Sequence, residues 1–279
     1  MSKHIEERSP FAYFALTIAY SWILWMPSIL AGLGVELGFD AETYTGLIVP
    51  IGAFAPLAAA VTLIARKHGW KECWQFIKTG FDFKVKPVFY LLAALVPVLI
   101  AISSHYLPPL FNLQVTDTLI PEEMGNPYIL IIPVFLFMGL VGGGQEEFGW
   151  RGYAQEPLQE RFGIIKAALI IGFVWGIWHF PLWIMPGDDH ARYSFMAFVV
   201  QTMSVSVTYA WIYTASGKKM ITAWIYHAMA NMIPGFFPYF HMIEGEPETA
   251  YWVYAGVNVL VGLIASFMIM KNKIDTQEA

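Results

Sequence analysis

The sequence predicts an all-α, polytopic membrane protein with about eight transmembrane helices and with its N- and C-termini in the cytoplasm. The 279 residues are 57% hydrophobic and only 13% charged, whereas a soluble domain carries roughly 25% charged residues. Apolar runs long enough to cross a bilayer as a helix, about 20 residues, recur along the chain. The Lys and Arg residues lie in alternate connections between these runs, as the positive-inside rule requires.

Eight predicted spans follow one another along the chain. Their approximate ranges are 11–33, 46–65, 87–108, 128–148, 165–185, 194–215, 221–240 and 250–270. With a cytoplasmic N-terminus, every Lys and Arg except Arg192 falls on the cytoplasmic side. A missed or invented helix would disturb this distribution, so the charges favour eight spans. Prolines inside three of the spans predict kinks at Pro56, Pro181 and Pro234.

The connection after the second span, "GWKECWQFIK", predicts a short helix lying on the cytoplasmic membrane interface. Its apolar residues recur at helical spacing on one face: Trp70, Cys73, Trp74 and Ile77. Cys73 is the single cysteine. An internal disulfide and a thiolate metal cluster are therefore excluded.

No repeat and no shift in composition divides the chain. We predict a single integral membrane domain over residues 1–279, multi-pass, in contact with lipid and located in a prokaryotic plasma membrane. The first apolar run is too long for the core of a signal peptide, so we expect it to remain as the first helix. The sequence has no basic cluster of the kind that binds nucleic acid, and no nucleic-acid partner is expected.

The stretch "GGGQEEFGWRGY" places charged residues at the end of the fourth span. Glu146 and Glu147 are adjacent, and Arg151 follows four residues after the second. Ionisable residues within a membrane are costly and usually mark functional sites. The four-residue spacing puts Glu147 and Arg151 on one helix face, where they can pair. Glu146 is rotated by about 100° from Glu147 and can point into a cavity.

Polar residues also lie inside the fifth and seventh spans. His179 follows Trp175 by four residues, and Asn231 follows His227 by four, so each pair occupies one helix face. A carboxylate beside a histidine can take a proton from water. An amide or imidazole can stabilise a developing oxyanion. Together with Glu146, these groups predict the hydrolysis of an acyl or peptide bond.

Each of these groups also has a structural alternative. Glu147 and Arg151 can be an ion pair at a helix end, and the glycines at 142–144 can allow close helix packing. His227 with Asn231 can bridge neighbouring helices by hydrogen bonds. Trp175 is expected to serve packing rather than substrate contact. The conjunction of the polar groups on three spans favours a functional site.

Three short motifs resemble those of a known family, the intramembrane proteases of the CAAX-processing and bacteriocin-processing group. This group includes the type II CAAX prenyl endopeptidases and the abortive-infection proteins. The motif Glu-Glu-x-x-x-Arg matches "EEFGWR", the motif Phe-x-x-x-His is similar to "WGIWH", and the motif His-x-x-x-Asn matches "HAMAN". The resemblance covers roughly residues 125–240. Trp175 stands where the family motif has Phe, which we expect to alter packing rather than chemistry.

The resemblance implies an intramembrane endopeptidase in which Glu146 activates a water molecule with His179. It implies that His227 and Asn231 stabilise the oxyanion. It also implies substrates that are lipid-modified or membrane-bound peptides, including prenylated CAAX-type proteins, cut near the cytoplasmic side. We accordingly expect a catalytic cavity that faces the cytoplasm.

The cofactor requirement stays open at this point. Zinc suits Glu and His ligands, and a bound metal would be held by Glu146, His179 and His227. These residues come from three helices and form no compact His-Glu-x-x-His helix, so we favour a mechanism without a tightly bound metal.

Two other functions are alternatives to a peptidase. Intramembrane Glu and His also serve proton relays, which would suit a proton-coupled transporter. Transporters often contain inverted repeats, and the sequence shows none. The second alternative is a non-catalytic membrane protein that binds substrates or partner proteins.

The predicted spans place two candidate histidines at different depths. His227 lies about six residues into its span from the cytoplasmic side, roughly 9 Å, and His179 lies about fourteen residues in, roughly 21 Å. A common site requires the fifth helix to begin deeper, or the fourth to extend further towards the cytoplasm.

Overall fold

The computed structural model describes residues 7–113, 127–235 and 247–272, and in these ranges the chain is helical without a β-strand. The first five helices are α1 (Pro10–Gly32), α2 (Ala41–Gly52), α3 (Ala55–His68), α4 (Trp70–Thr79) and α5 (Pro87–Tyr106). The later helices are α6 (Ile131–Leu140), α7 (Glu147–Gly149), a π-helix (Trp150–Gln155), α8 (Glu156–Phe162), α9 (Ile164–Trp178), α10 (Phe195–Ala215), α11 (Met220–Met232) and α12 (Pro247–Lys271).

Six helical segments of the described chain are long and apolar enough to cross a membrane, and a bent pair of helices counts as a seventh if the pair forms one span. The six are Pro10–Gly32, Pro87–Phe111, Ile131–Phe162, Ile164–Trp183, Phe195–Ala215 and Glu248–Lys271. The predicted class, an all-α multi-pass membrane protein, is confirmed, whereas the count of eight is not. Within the predicted span 221–240, α11 forms the part up to Met232. The residues after 235 lie outside the described ranges.

The predicted kinks coincide with helix ends. The second predicted span is the pair α2 and α3, bent by 41°, and Pro56 lies in the first turn of α3, where its missing N–H costs nothing. Pro181 lies in a 3₁₀ helix, Phe180–Trp183, that follows the end of α9. Pro234 lies in another 3₁₀ turn, just after α11.

Helix packing places α10 and α11 at the centre of the second half. α10 packs against α9 and α12, while α11 packs against α5 and α6. Gly172 lets α9 approach α10 closely, because a Cβ there would lie 2.5 Å from the Met203 Cα. The polar residues of the fourth, fifth and seventh predicted spans are therefore carried by helices in contact.

Charged residues at one end of the helices pair across segments that the sequence places on the same side. Lys218 Nζ lies 3.6 Å from Glu156 Oε2, and Lys219 forms an ion pair with Asp82. The pKa of the Asp82 carboxyl is lowered by its hydrogen bond from Lys219. We call this end the basic end. Its contacts agree with the predicted alternation of the spans, but the cytoplasmic location of the termini stays a prediction.

The predicted short helix is present as α4, with a different buried face, and its position on the membrane interface stays a prediction. Cys73 and Phe76 are buried against the rest of the protein, and the Cys73 thiol donates to the Val61 carbonyl at 3.4 Å. Trp70 and Trp74, expected on one face with Cys73, are 75% and 60% exposed. The buried face of α4 therefore runs through Cys73 and Phe76, because the tertiary contacts select Phe76 in place of the tryptophans.

Candidate active site

Glu146 sits at a break in the helical path between α6 and α7. The chain turns at Gly143, whose φ of 137° is in the region that favours glycine. Gln145 stabilises the turn because its side chain accepts from the Gly143 N–H and donates to the Val141 carbonyl, both at 2.9 Å. The turn ends in a short 3₁₀ helix, Gly144–Glu146, so that Glu146 is buried at the start of the next helix.

Glu147 is held between two cationic or potentially cationic groups. Its Oε2 lies 3.2 Å from Arg151 Nε, and its Oε1 lies 2.8 Å from His227 Nδ1. Both Glu147 and Arg151 are fully buried. The ion pair predicted from the four-residue spacing is confirmed, and it also connects α7 to α11 through His227.

Arg151 is enclosed by polar and aromatic groups from α10. Its Nη1 donates to Ser206 Oγ at 3.0 Å, and its guanidinium lies 4.7 Å from the centre of the Tyr209 ring. An arginine over an aromatic face gains a cation–π attraction that grows when water is excluded. These contacts fix Arg151, and through it Glu147, against α10.

Glu146 makes different contacts from its neighbour. Its Oε2 accepts from the indole N–H of Trp150 at 3.1 Å and from that of Trp175 at 3.0 Å. The two adjacent glutamates thus separate as predicted: Glu147 is committed to an ion pair, while Glu146 faces tryptophans and a cavity.

His179 lies at the C-terminal cap of α9, where its Nδ1 is 2.8 Å from the Trp175 carbonyl. A carbonyl only accepts, so Nδ1 carries the proton in this arrangement. The neutral ring then has its lone pair on Nε2. His179 can therefore accept a proton within the cavity that it lines.

His227 and Asn231 converge on the turn before Glu146. Asn231 Nδ2 donates to the Gly142 carbonyl. A Cβ at Gly143 would lie 2.5 Å from His227 Nε2 and 2.6 Å from Asn231 Nδ2. The glycine leaves open the point where these two polar side chains meet, as an oxyanion site requires.

One cavity of about 380 Å³ connects these groups. Four of the six predicted site residues line it, namely Glu146, His179, His227 and Asn231. Glu147 and Arg151 lie behind it and touch it through His227. Trp175 is central, because its ring is 5.4 Å from that of His227 and 5.9 Å from that of His179.

The mismatch in depth between the two histidines is resolved by the length of the fourth span. Glu156 lies at the level of Lys218, just before α11 begins. The chain continues from Glu156 to Phe162 before α9 starts, which is about 9 Å along a helix. α9 therefore begins further from the cavity than α11 does, and this offset brings His179 close to the level of His227.

Sequence reasoning missed three residues at or near the cavity. Trp150 and Trp175 donate to Glu146. The only signal was the Trp at position 175 in place of the motif's Phe, which the sequence analysis assigns to packing. His190, from the connection between α9 and α10, lines the cavity and pairs with Asp188 at 2.6 Å. No pattern in the sequence places a residue of a connecting loop beside a distant helix.

Comparison with known proteins finds a family model and a relative that both carry the name of a CAAX peptidase. Residues 128–233 match a family model described as type II CAAX prenyl endopeptidase Rce1-like. Over 240 residues the chain is 27% identical to CAAX prenyl protease 2 of Methanococcus maripaludis, an alignment that covers 80% of this chain and 83% of that protein. The protein is a membrane peptidase. The resemblance predicted from the three motifs is confirmed.

The peptidase does not present a preformed metal site in its described ranges. No three His, Cys, Asp or Glu side chains of these ranges come close enough to hold one metal ion together. Glu146, His179 and His227 share the cavity and would be the residues to hold a metal, with Glu146 Oε2 bound by tryptophans and His227 Nδ1 by Glu147. No step below depends on a metal.

The cavity of the peptidase lies away from the basic end. Its lining includes His190 and Tyr193, which precede α10, and Tyr251 near the start of α12. The predicted alternation of the spans places those segments outside the cell. The orientation of the termini and the side on which the cavity opens both stay predictions.

Proposed function

We propose that the protein is an intramembrane endopeptidase that hydrolyses a peptide bond with a water molecule activated by Glu146. One observation carries the proposal: Glu146, His179, His227 and Asn231, drawn from three helical segments, line a single cavity. A base, a second proton acceptor and two polar groups near one point are the parts that amide hydrolysis needs.

The reaction follows from the position of each group. Glu146, assisted by His179, takes a proton from water as the water oxygen bonds to the carbonyl carbon. The oxyanion that forms is stabilised beside Gly143 by Asn231 and by His227, whose ring carries a proton on both nitrogens, with Nδ1 bonded to Glu147 and Nε2 donating to the oxyanion. The C–N bond then breaks, the leaving amine takes the proton back from Glu146, and a second proton reaches it from the new carboxyl group.

The substrate we propose is a lipid-modified or membrane-bound peptide, with prenylated CAAX-type peptides as the first probe. The names of the relatives support this class. The cavity supports it too, because aromatic side chains form much of its wall, including Tyr193, Phe198 and Tyr251. Aromatic walls offer large apolar area to a lipid chain.

Cleavage of a fluorogenic prenylated CAAX peptide in liposomes tests this proposal. We expect wild type to cleave it and Glu146→Gln to be inactive with an unchanged melting temperature, because the amide cannot take the proton. Glu160→Gln is the matched control, since Glu160 is an exposed glutamate further along the same span.

Retained turnover in Glu146→Gln would remove Glu146 from the mechanism. Cleavage of the same peptide without its prenyl group, at an equal rate, would instead argue against a lipid-modified substrate while leaving the peptidase mechanism intact.

A further inference from the structure

Two tryptophans converge on one oxygen of Glu146. The indole N–H groups of Trp150 and Trp175 lie 3.1 Å and 3.0 Å from Oε2. Trp150 belongs to the π-helix that follows Glu146, whereas Trp175 comes from α9. The carboxylate is therefore held from two directions by donors on different helices.

Indole donors suit this position because of their chemistry. The indole N–H only donates, so it can bond the carboxylate without competing for the proton that Glu146 must accept. A buried carboxylate is costly unless hydrogen bonds satisfy it, and Glu146 is only 4% exposed. Trp150 and Trp175 are themselves 0% and 7% exposed, so packing fixes both donors.

The second carboxylate oxygen is left for the cavity. Among the described residues, Oε1 has no hydrogen-bond partner. It is not one of the fully buried polar atoms without a partner, so it keeps contact with solvent-accessible space. Glu146 also lines the cavity. With Oε2 occupied twice, Oε1 is the atom that a water molecule can reach.

The resemblance to known proteases does not imply this arrangement. The family motif has Phe where this chain has Trp175, and a phenyl ring has no N–H group. The contact between α9 and Glu146 is therefore polar in this chain, whereas the usual motif residue would make it purely apolar.

We propose that Trp175, together with Trp150, is a positioning residue that fixes Oε2 of Glu146 and so directs Oε1 to the attacking water. This inference rests on the proposed role of Glu146 as the base. Small displacements of a catalytic group lower the rate steeply, so the loss of one donor should act on the chemical step rather than on substrate binding.

Steady-state kinetics in liposomes with the fluorogenic peptide give the first test. We expect Trp175→Phe, which restores the motif's aromatic ring, to lower kcat about tenfold with KM within about twofold. Trp25→Phe is the matched control: Trp25 is 1% exposed and donates to the Ile48 carbonyl at 3.2 Å. It does not line the cavity, and its kcat should equal that of wild type.

A spectroscopic test is independent of turnover. In ¹⁵N-tryptophan-labelled protein, Glu146→Gln replaces the charged acceptor of two indoles by a neutral one. The indole N–H signals of Trp150 and Trp175 should shift, and that of Trp25 should not. Unshifted Trp150 and Trp175 signals would overturn the inference even if Trp175→Phe were slow.

The outcomes separate this inference from the proposed function. If Glu146→Gln is inactive but Trp175→Phe matches Trp25→Phe in kcat, the positioning role fails and the peptidase mechanism stands. If Glu146→Gln still cleaves, the proposed mechanism itself fails. An increase in KM alone for Trp175→Phe would assign the residue to substrate contact and overturn the positioning role.

Discussion

Gly143 allows two side chains of α11 to approach the turn that carries Glu146. Its φ of 137° requires glycine, and the space where its Cβ would lie is bounded by His227 and Asn231. From the sequence, the three consecutive glycines were interpreted as allowing close helix packing. In the structure, the middle glycine lies at the candidate oxyanion site.

Gly143→Ala is expected to abolish cleavage. The methyl group would enter the space between His227 Nε2 and Asn231 Nδ2, and the strained backbone would cost about 1–3 kcal/mol. Gly34→Ala separates the two effects, since Gly34 also has a positive φ but nothing lies within 4 Å of its Cβ position. Peptide cleavage and thermal unfolding of both variants should show that only Gly143→Ala is inactive.

Arg151→Ala is expected to lower the folded yield and melting temperature as well as the activity. It leaves Glu147 without its arginine partner in a fully buried site, and breaking such a pair costs about 3–5 kcal/mol. Arg192→Ala removes an exposed pair with Asp189 and should change little. An Arg151→Ala variant that is inactive yet as stable as wild type would contradict the structural role of the pair.

The sequence could predict contacts made within one helix and could not predict those between helices. The Glu147–Arg151 pair follows from a four-residue spacing, which geometry converts directly into proximity. The bonds from Trp175 to Glu146 and from His227 to Glu147 join helices whose rotation and height are set by packing. The cavity position of His190 depends on the path of a loop, which has no periodicity to interpret.

At the scale of elements, the close contact of α9 and α10 determines where His179 stands. Gly172 is a point of close approach, with backbone atoms of Thr202 and Met203 both 2.5 Å from its Cβ position. α10 in turn supplies Ser206 and Tyr209 to Arg151. A wider spacing between these helices would therefore affect both walls of the cavity.

Gly172→Ala is expected to destabilise the protein by about 1–3 kcal/mol, because the opposing atoms are backbone and cannot move aside. Gly256→Ala is the matched control in α12, where nothing lies within 4 Å of the Cβ position and alanine favours the helix. Thermal unfolding in detergent should show a lower midpoint for Gly172→Ala alone; equal midpoints would mean that the helices can separate without loss.

The sequence predicted that these helices exist more accurately than it predicted where they end. The fourth span was expected to end near residue 148, yet its helical path continues to Phe162. Charged and amide side chains such as Glu156 and Gln159 are unusual in a membrane span. They are accommodated because Tyr213, Thr214 and Lys218 contact them, and no hydropathy pattern reveals such partners.

At the scale of the whole molecule, the basic end and the cavity lie on opposite sides. The positive-inside rule counts nearly all Lys and Arg on the side of the termini, which directs the cavity outwards. Peptides would then reach Glu146 from the outer leaflet. The opposite orientation gives access from the cytoplasm but violates the charge rule.

Cysteine labelling decides the orientation. Cys73 is the single cysteine, so Cys73→Ser gives a background into which Lys84→Cys, at the basic end, or Arg192→Cys, near the cavity, can be placed. Both positions are exposed. We expect a membrane-impermeant maleimide to label Arg192→Cys in intact cells and Lys84→Cys only after permeabilisation. The reverse pattern would place the termini outside and the cavity in contact with the cytoplasm.

The π-helix Trp150–Gln155 joins α7 to α8 and sets how far the side chains of α8 are rotated about the helix axis relative to those of α7. Each π turn holds about one residue more than an α turn, and one residue corresponds to about 100° of rotation. Deleting a single residue there would turn Glu156 away from Tyr213 and Lys218, or turn Glu147 away from His227. The length of this short segment therefore sets the rotation of Glu147 relative to Glu156.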